Sequence, residues 1–152
     1  MGNVLFYHLI ERRMEDTLAM LLGRARGAGW TVAVRGTDAA RMAWLDEKLW
    51  LGPEEEFLPH GLQGGPHDAL QPILLGTGKL DANAAQCLMA VDGADVTPEE
   101  VATLERACIL FDGADDTAVA RARTQWTALK SAGAKAQYWS DASGRWEMKA
   151  ET

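Results

Sequence analysis

Two aspartates stand where a metal-holding acid would stand. Asp92 follows the apolar run Cys87-Leu-Met-Ala-Val91, and Asp112 follows Ala107-Cys-Ile-Leu-Phe111. An acid directly after a buried strand serves a nucleotide hydrolase or phosphotransferase only if a phosphate loop lies beside it. The candidate loop is Gly76-Thr-Gly-Lys79, but the head of a P-loop must be glycine and its lysine must be followed by Ser or Thr. Here those positions are Ile73 and Leu80, so the motif fails at both ends. The dinucleotide fingerprint fails as well, because the turn after the first strand, Glu11-Arg-Arg-Met14, has no glycine. Asp92 and Asp112 are therefore expected to cap turns and following helices. A small nucleotide-binding hydrolase or phosphotransferase using either of them is the alternative. His8, His60 and His67 are scattered, and no Ser or Cys sits in a nucleophile elbow beside them. Two cysteines and three histidines make no metal constellation, and no cofactor is expected. Cys87 and Cys108 lie in apolar runs and read as buried, reduced core residues. Glu54-Glu-Glu56 reads as a solvated acidic run.

Residues suited to binding are better defined than residues suited to catalysis. Trp50 closes a helix just before a stretch, Leu51–Gln71, in which periodicity disappears and Gly, Pro and Glu dominate. Phe57 and Leu58 add apolar groups to that stretch, which reads either as folded back on the core or as an aromatic contact surface. In the last helix, Val119, Ala122, Trp126 and Leu129 recur at helical spacing as the buried stripe. Arg123, Thr127 and Lys130 follow the same spacing beside it, and Arg121 lies nearer the opposite side. A basic row beside a tryptophan fits a short acidic peptide, or a free carboxylate with an apolar side chain tucked alongside.

These residues are carried by alternating strands and helices. Strands are predicted at Asn3–Leu9, Trp30–Arg35, Ile73–Leu75, Ala85–Val91 and Ala107–Phe111, the last two sharing the sequel Asp-Gly-Ala-Asp. Helices are predicted at Met14–Ala28, Ala39–Trp50 with Thr37 as cap and Asp38 in its first turn, a segment opening at Thr97-Pro-Glu-Glu100, and Asp116–Ala132. Ala136–Ser140 and Arg145–Met148 are left for a terminal strand or hairpin. Nearly continuous apolar strands alternating with helices imply a three-layer α/β fold, a mostly parallel sheet with helices on both faces.

The chain has 152 residues, and 22 acidic against 15 basic side chains give a net charge of −7. Its 47% hydrophobic and 24% charged content excludes wholesale disorder, and its length suits one domain over 1–152. The acidic balance disfavours tight nonspecific DNA binding. The longest apolar stretches fall far short of the roughly 20 residues a membrane span needs. Met1-Gly-Asn-Val4 lacks the layout of a signal peptide, so a cytoplasmic location is expected.

One block is more specific than any of this. Asp46-Glu47, Leu49-Trp50, Pro53, Glu55 and Phe57-Leu-Pro-His60 together resemble the signature of the chi subunit of bacterial DNA polymerase III. Phe6-Tyr7, Pro72-Ile73 and a last helix ending Ala132-Gly133 agree with it. The resemblance implies a noncatalytic accessory protein of the clamp-loader complex, with a Rossmann-like or P-loop-NTPase-like topology that lacks the nucleotide site. It implies two partners, the acidic C-terminal tail of single-stranded DNA-binding protein and the small psi subunit, so that DNA is reached only indirectly. Carried over by position, the tail pocket would comprise Trp50, Arg123 and Trp126, with Lys130 left to add charge, and Phe57 would lie on the psi-facing side. Val119 and Thr127 stand where some relatives carry Lys, which leaves Arg123, Lys130 and Arg121 for the acidic tail.

Overall fold

A computed structural model describes residues 2–51 and 58–152. The sheet has eight strands: β1 (Asn3–Leu9), β2 (Val32–Gly36), β3 (Gly61–Leu62), β4 (Ile73–Thr77), β5 (Cys87–Ala90), β6 (Arg106–Asp112), β7 (Lys135–Ser140) and β8 (Glu147–Glu151). Their spatial order is β3-β4-β2-β5-β6-β1-β7-β8, parallel throughout except for the antiparallel β7–β8 edge. This is not the 3-2-1-4-5-6 order of the dinucleotide-binding sheet, so the likeness to that fold lies in its layers rather than its strand order.

Alternate residues of the inner strands supply two separate cores. Tyr7, Val34, Leu75, Met89 and Leu110 face one side, where α1 (Met14–Gly27) and α2 (Ala39–Trp50) bury Leu18, Leu22, Met42 and Leu45 against them. Phe6, Ala33, Leu74, Leu88 and Ile109 face the other, under α3 (Pro98–Thr103) and α4 (Asp116–Ser131). Strands buried on both faces have no polar side to offer, which explains their unbroken apolar sequences. Cys87 and Cys108 lie unbridged within the first of these cores.

Several local expectations need correction. Asp38, not Thr37, caps α2: its carboxylate accepts the Ala40 N–H at 2.8 Å, while the Thr37 hydroxyl donates to the Asp92 carbonyl at 3.0 Å. Thr97 does cap α3, within a full capping box with Glu100, but that helix ends after six residues. The described part of the stretch before Pro72 is not devoid of structure, since β3 pairs with β4 and a 3-10 turn covers Asp68–Leu70. Two residues of strand are too short to leave a periodic signal.

Candidate partner-binding surfaces

The carboxyl ends of the strands open onto a cleft of about 760 Å³. It lies where the connections change side, between β1, which feeds α1, and β6, which feeds α4, the place where α/β sheets bind ligands. Arg12, Arg41 and Arg121 face Asp92 and Asp112 across it. The Asp92 carboxylate is bridged by Arg41 at 3.1 and 3.3 Å, which holds the guanidinium even more firmly protonated. Asp92 itself adopts the left-handed backbone conformation (φ 54°), and Arg121 donates to the next carbonyl, Gly93, at 2.9 Å. Asp92 is thus a tie between α2 and the end of β5 rather than the turn cap expected of it. Asp112 does cap its turn, accepting the Ala114 N–H at 2.9 Å, and Asp115 caps α4 through Thr117 and Ala118. Both candidate acids are therefore engaged in structure. Among the described residues no group of three or more His, Cys, Asp or Glu is placed to hold a metal ion.

On α4 the buried side is Ala122, Gln125 and Leu129, with Trp126 and Val119 half-buried at its margin. Gln125, which the apolar pattern passes over, turns inward because its amide donates to Asp95 at 2.6 Å. Trp126 packs edge-on against Phe6, with ring centres 5.4 Å apart, and against Tyr138 at 6.1 Å. Burial pushes the Tyr138 phenol up, and the nearby Arg123 charge opposes that shift. Arg123 and Lys130 are exposed, and among the described residues neither pairs with a carboxylate. They stand about 10 Å apart along the helix axis, at roughly 1.5 Å of rise per residue. Thr127, between them, spends its hydroxyl on the Arg123 carbonyl at 3.1 Å.

Trp50 lies elsewhere. It ends α2, on the face of the sheet opposite α4, so the structure separates the helix that bears it from the one that bears Arg123, Trp126 and Lys130. Spacing within one helix carries no information about which face a different helix covers. The indole stacks on the buried His60 ring, with centres 4.1 Å apart. Both His60 nitrogens meet backbone oxygens, Leu58 at 2.5 Å and Asp46 at 2.9 Å, and the Asp46 carboxylate is 3.2 Å from Nε2. Asp46, Trp50 and His60 of the signature block thus form one contact group. Leu51, Leu62 and Leu70 are also exposed. Phe57, expected on a second partner surface, lies outside the described residues.

The described residues make an α/β domain with a cleft at the carboxyl ends of its strands and exposed aromatic and basic groups on the helices of both faces. The chain belongs to the DNA polymerase III chi subunit family: the family model described as "DNA polymerase III chi subunit, HolC" matches residues 1–137. The chain is also 22% identical, over 111 residues, to the probable DNA polymerase III subunit chi of Rickettsia prowazekii (strain Madrid E), covering 70% of this chain and 67% of the relative. Membership gives the chain an accessory role in DNA replication. Among the described residues, no helix is long and apolar enough to cross a membrane.

Proposed function

We propose that this chain links the clamp-loader complex of DNA polymerase III to single-stranded DNA-binding protein by holding that protein's acidic C-terminal tail on α4. The observation that carries the reading is the pair Arg123 and Lys130, which no carboxylate among the described residues neutralises, on either side of the half-open Trp126. In a chain with a net charge of −7, two neighbouring uncompensated cations beside an indole form a local exception to the overall field. Carboxylates of the tail would meet the cations, and an apolar side chain would lie against Trp126. Trp50, held by His60 on the other face, is assigned to a separate contact surface, and Phe57 to a contact with the psi subunit. The chain contributes no catalysis of its own in this reading, and DNA is contacted through the partner.

Calorimetry with a synthetic peptide of the tail tests the site. A charge-assisted hydrogen bond contributes about 1.5–3 kcal/mol, so Arg123→Ala should weaken binding about tenfold or more. Affinity for the unmodified chain should also fall as salt is raised. Unchanged affinity in the Arg123→Ala protein would remove the site from α4.

A further inference from the structure

The cleft at the carboxyl ends of the strands stands apart from the tail-binding row on α4, and its cations are already fixed in place. Three guanidinium groups line it from three elements: Arg12 from the loop after β1, Arg41 from α2 and Arg121 from α4. Arg12 donates through Nη2 to the Gly144 carbonyl at 3.1 Å and lies over the Trp146 ring, 5.6 Å from its centre. Arg41 is held between the Asp92 carboxylate and the face of Trp44, 4.3 Å from the ring centre. Arg121 gives Nη1 to the Gly93 carbonyl at 2.9 Å. A guanidinium has more N–H donors than these contacts use, so each group keeps donors to spare while losing its freedom to wander. Cations held in this way bind an anion without first having to be ordered.

The rest of the lining decides which anion. Glu15, Asp92, Asp112 and Asp115 also face the cleft and balance its arginines, Arg13 included, so it is not a plain anion trap. Asp92 is neutralised by Arg41, and Asp115 is spent on the first N–H groups of α4. Asp112 gives one oxygen to the Ala114 N–H, while its other oxygen accepts no hydrogen bond among the described residues. Such an oxygen repels a phosphate but accepts from a hydroxyl. Ile10, Leu110 and Phe111 add apolar surface, and Ile10 is 43% exposed. A ligand that suits all three kinds of surface carries phosphates, hydroxyls and an apolar ring. The volume of about 760 Å³ also lies within the roughly 300–1,000 Å³ of small-molecule sites.

We infer that this cleft binds a nucleoside diphosphate, with Arg12 and Arg121 on the phosphates, Asp112 accepting from the sugar hydroxyls and Ile10 against the base. Side chains do here what a glycine loop does elsewhere, since guanidinium forks match phosphate oxygens. The Thr77-Gly-Lys79 turn lines a different hollow. The ligand is held and not turned over. His8, at the end of β1, has Nδ1 2.6 Å from the Tyr138 hydroxyl, and Asp92 is tied to Arg41, so neither serves as a base in the cleft. Arg12 and Arg41 flank the layer of α1 and α2, whereas Arg121 belongs to α4 on the opposite face, so a bound diphosphate clamps the two helical layers together. This site is independent of the tail-binding reading, which uses Arg123 and Lys130.

The test is calorimetry on the full chain with ADP, GDP, pyrophosphate and adenosine, together with the melting temperature in each. A nucleoside diphosphate should bind and raise the melting temperature, because it binds the folded chain alone. Pyrophosphate and adenosine should each bind about tenfold or more weakly, the scale of one charge-assisted hydrogen bond. Arg121→Gln keeps a donor for the Gly93 carbonyl and removes the charge. It should weaken the diphosphate about tenfold and leave adenosine as before, and its own melting temperature without ligand reports that it is folded. If neither ADP nor GDP gives heat or a shift, the inference is wrong. Pyrophosphate binding as tightly as the nucleotides would overturn the nucleoside assignment, and undiminished affinity in Arg121→Gln would place the ligand outside the cleft. Failure of the tail peptide to bind α4 would leave all of these outcomes standing.

Discussion

His60 stacks on Trp50 with ring planes 29° from parallel, so the aromatic residue at the end of α2 is held by a histidine from beyond the next segment of chain. Each nitrogen of the same imidazole lies within hydrogen-bond distance of a backbone carbonyl oxygen, that of Leu58 or that of Asp46. His60→Ala would leave those oxygens without their partner and remove the stacked face of Trp50. A loss of about 1–3 kcal/mol in chemical denaturation is expected, the cost of orphaning buried polar groups. Peptide binding on α4 should be unchanged, because the two groups lie on opposite faces of the sheet. A fall in tail affinity for this variant would show that the faces are coupled.

Asp141 ties the end of β7 to the loop after β1. Its fully buried carboxylate accepts N–H groups from Ile10 at 2.7 Å, Glu11 at 3.2 Å and Arg12 at 2.8 Å, with the Arg12 guanidinium 3.8 Å away. Burial alone would push the acid up, but the amides of Ile10, Arg12 and Glu11 and the Arg12 charge outweigh it and hold it below the usual range. A carboxyl lowered on folding adds stability above its unfolded value and loses it as pH falls through its folded value. Asp141→Asn should therefore lower the melting temperature at neutral pH and flatten the acid limb of the stability curve below about pH 4. An acid limb parallel to that of the unmodified protein would contradict the assignment.

Gly113 follows β6 where the His8 ring leaves no room for a Cβ, and the Ile10 side chain crowds the same point at 2.7 Å. Gly113→Ala should cost about 1–3 kcal/mol, as overpacking does. The imidazole would also be displaced from the Tyr138 hydroxyl. Tyr138 fluorescence is masked by the tryptophans, so the reporting signal is the His8 nitrogen shift, which should move together with stability. A stable variant with an unmoved shift would mean that the ring is not confined there.

Glu100 closes the capping box of α3 and also pairs with Arg35 of β2 through both carboxylate oxygens. The Arg35 hydrogen bonds, opposed by burial and aided by Thr97, hold this acid below its ordinary value. Glu100→Gln should destabilise by about 1–2 kcal/mol, the combined scale of a lost cap interaction and a half-buried pair. The difference should vanish at pH values where Glu100 is already protonated in the unmodified chain.

Much of this architecture is legible in one dimension. β1 and α2 run between the residues their periodicity predicts, because an apolar face repeated at one spacing has a single way to be buried. Thr97-Pro98 announces α3 for the same reason, as its capping groups are adjacent in sequence. What escaped is non-local. β3 is defined by pairing with β4, not by its own two residues. His8 and Tyr138 are 130 positions apart in the chain and meet only because β7 lies beside β1. Trp50 and Trp126 both read as contact residues, yet which face each helix takes depends on where the crossovers change side, a property of the whole sheet.

That change of side has a consequence for mass action. A short peptide on α4 and a ligand at the end of α2 occupy surfaces with the thickness of the sheet between them, so neither excludes the other. If both proposed surfaces bind, the absence of steric overlap would let a three-component complex accumulate without direct competition between the two ligands.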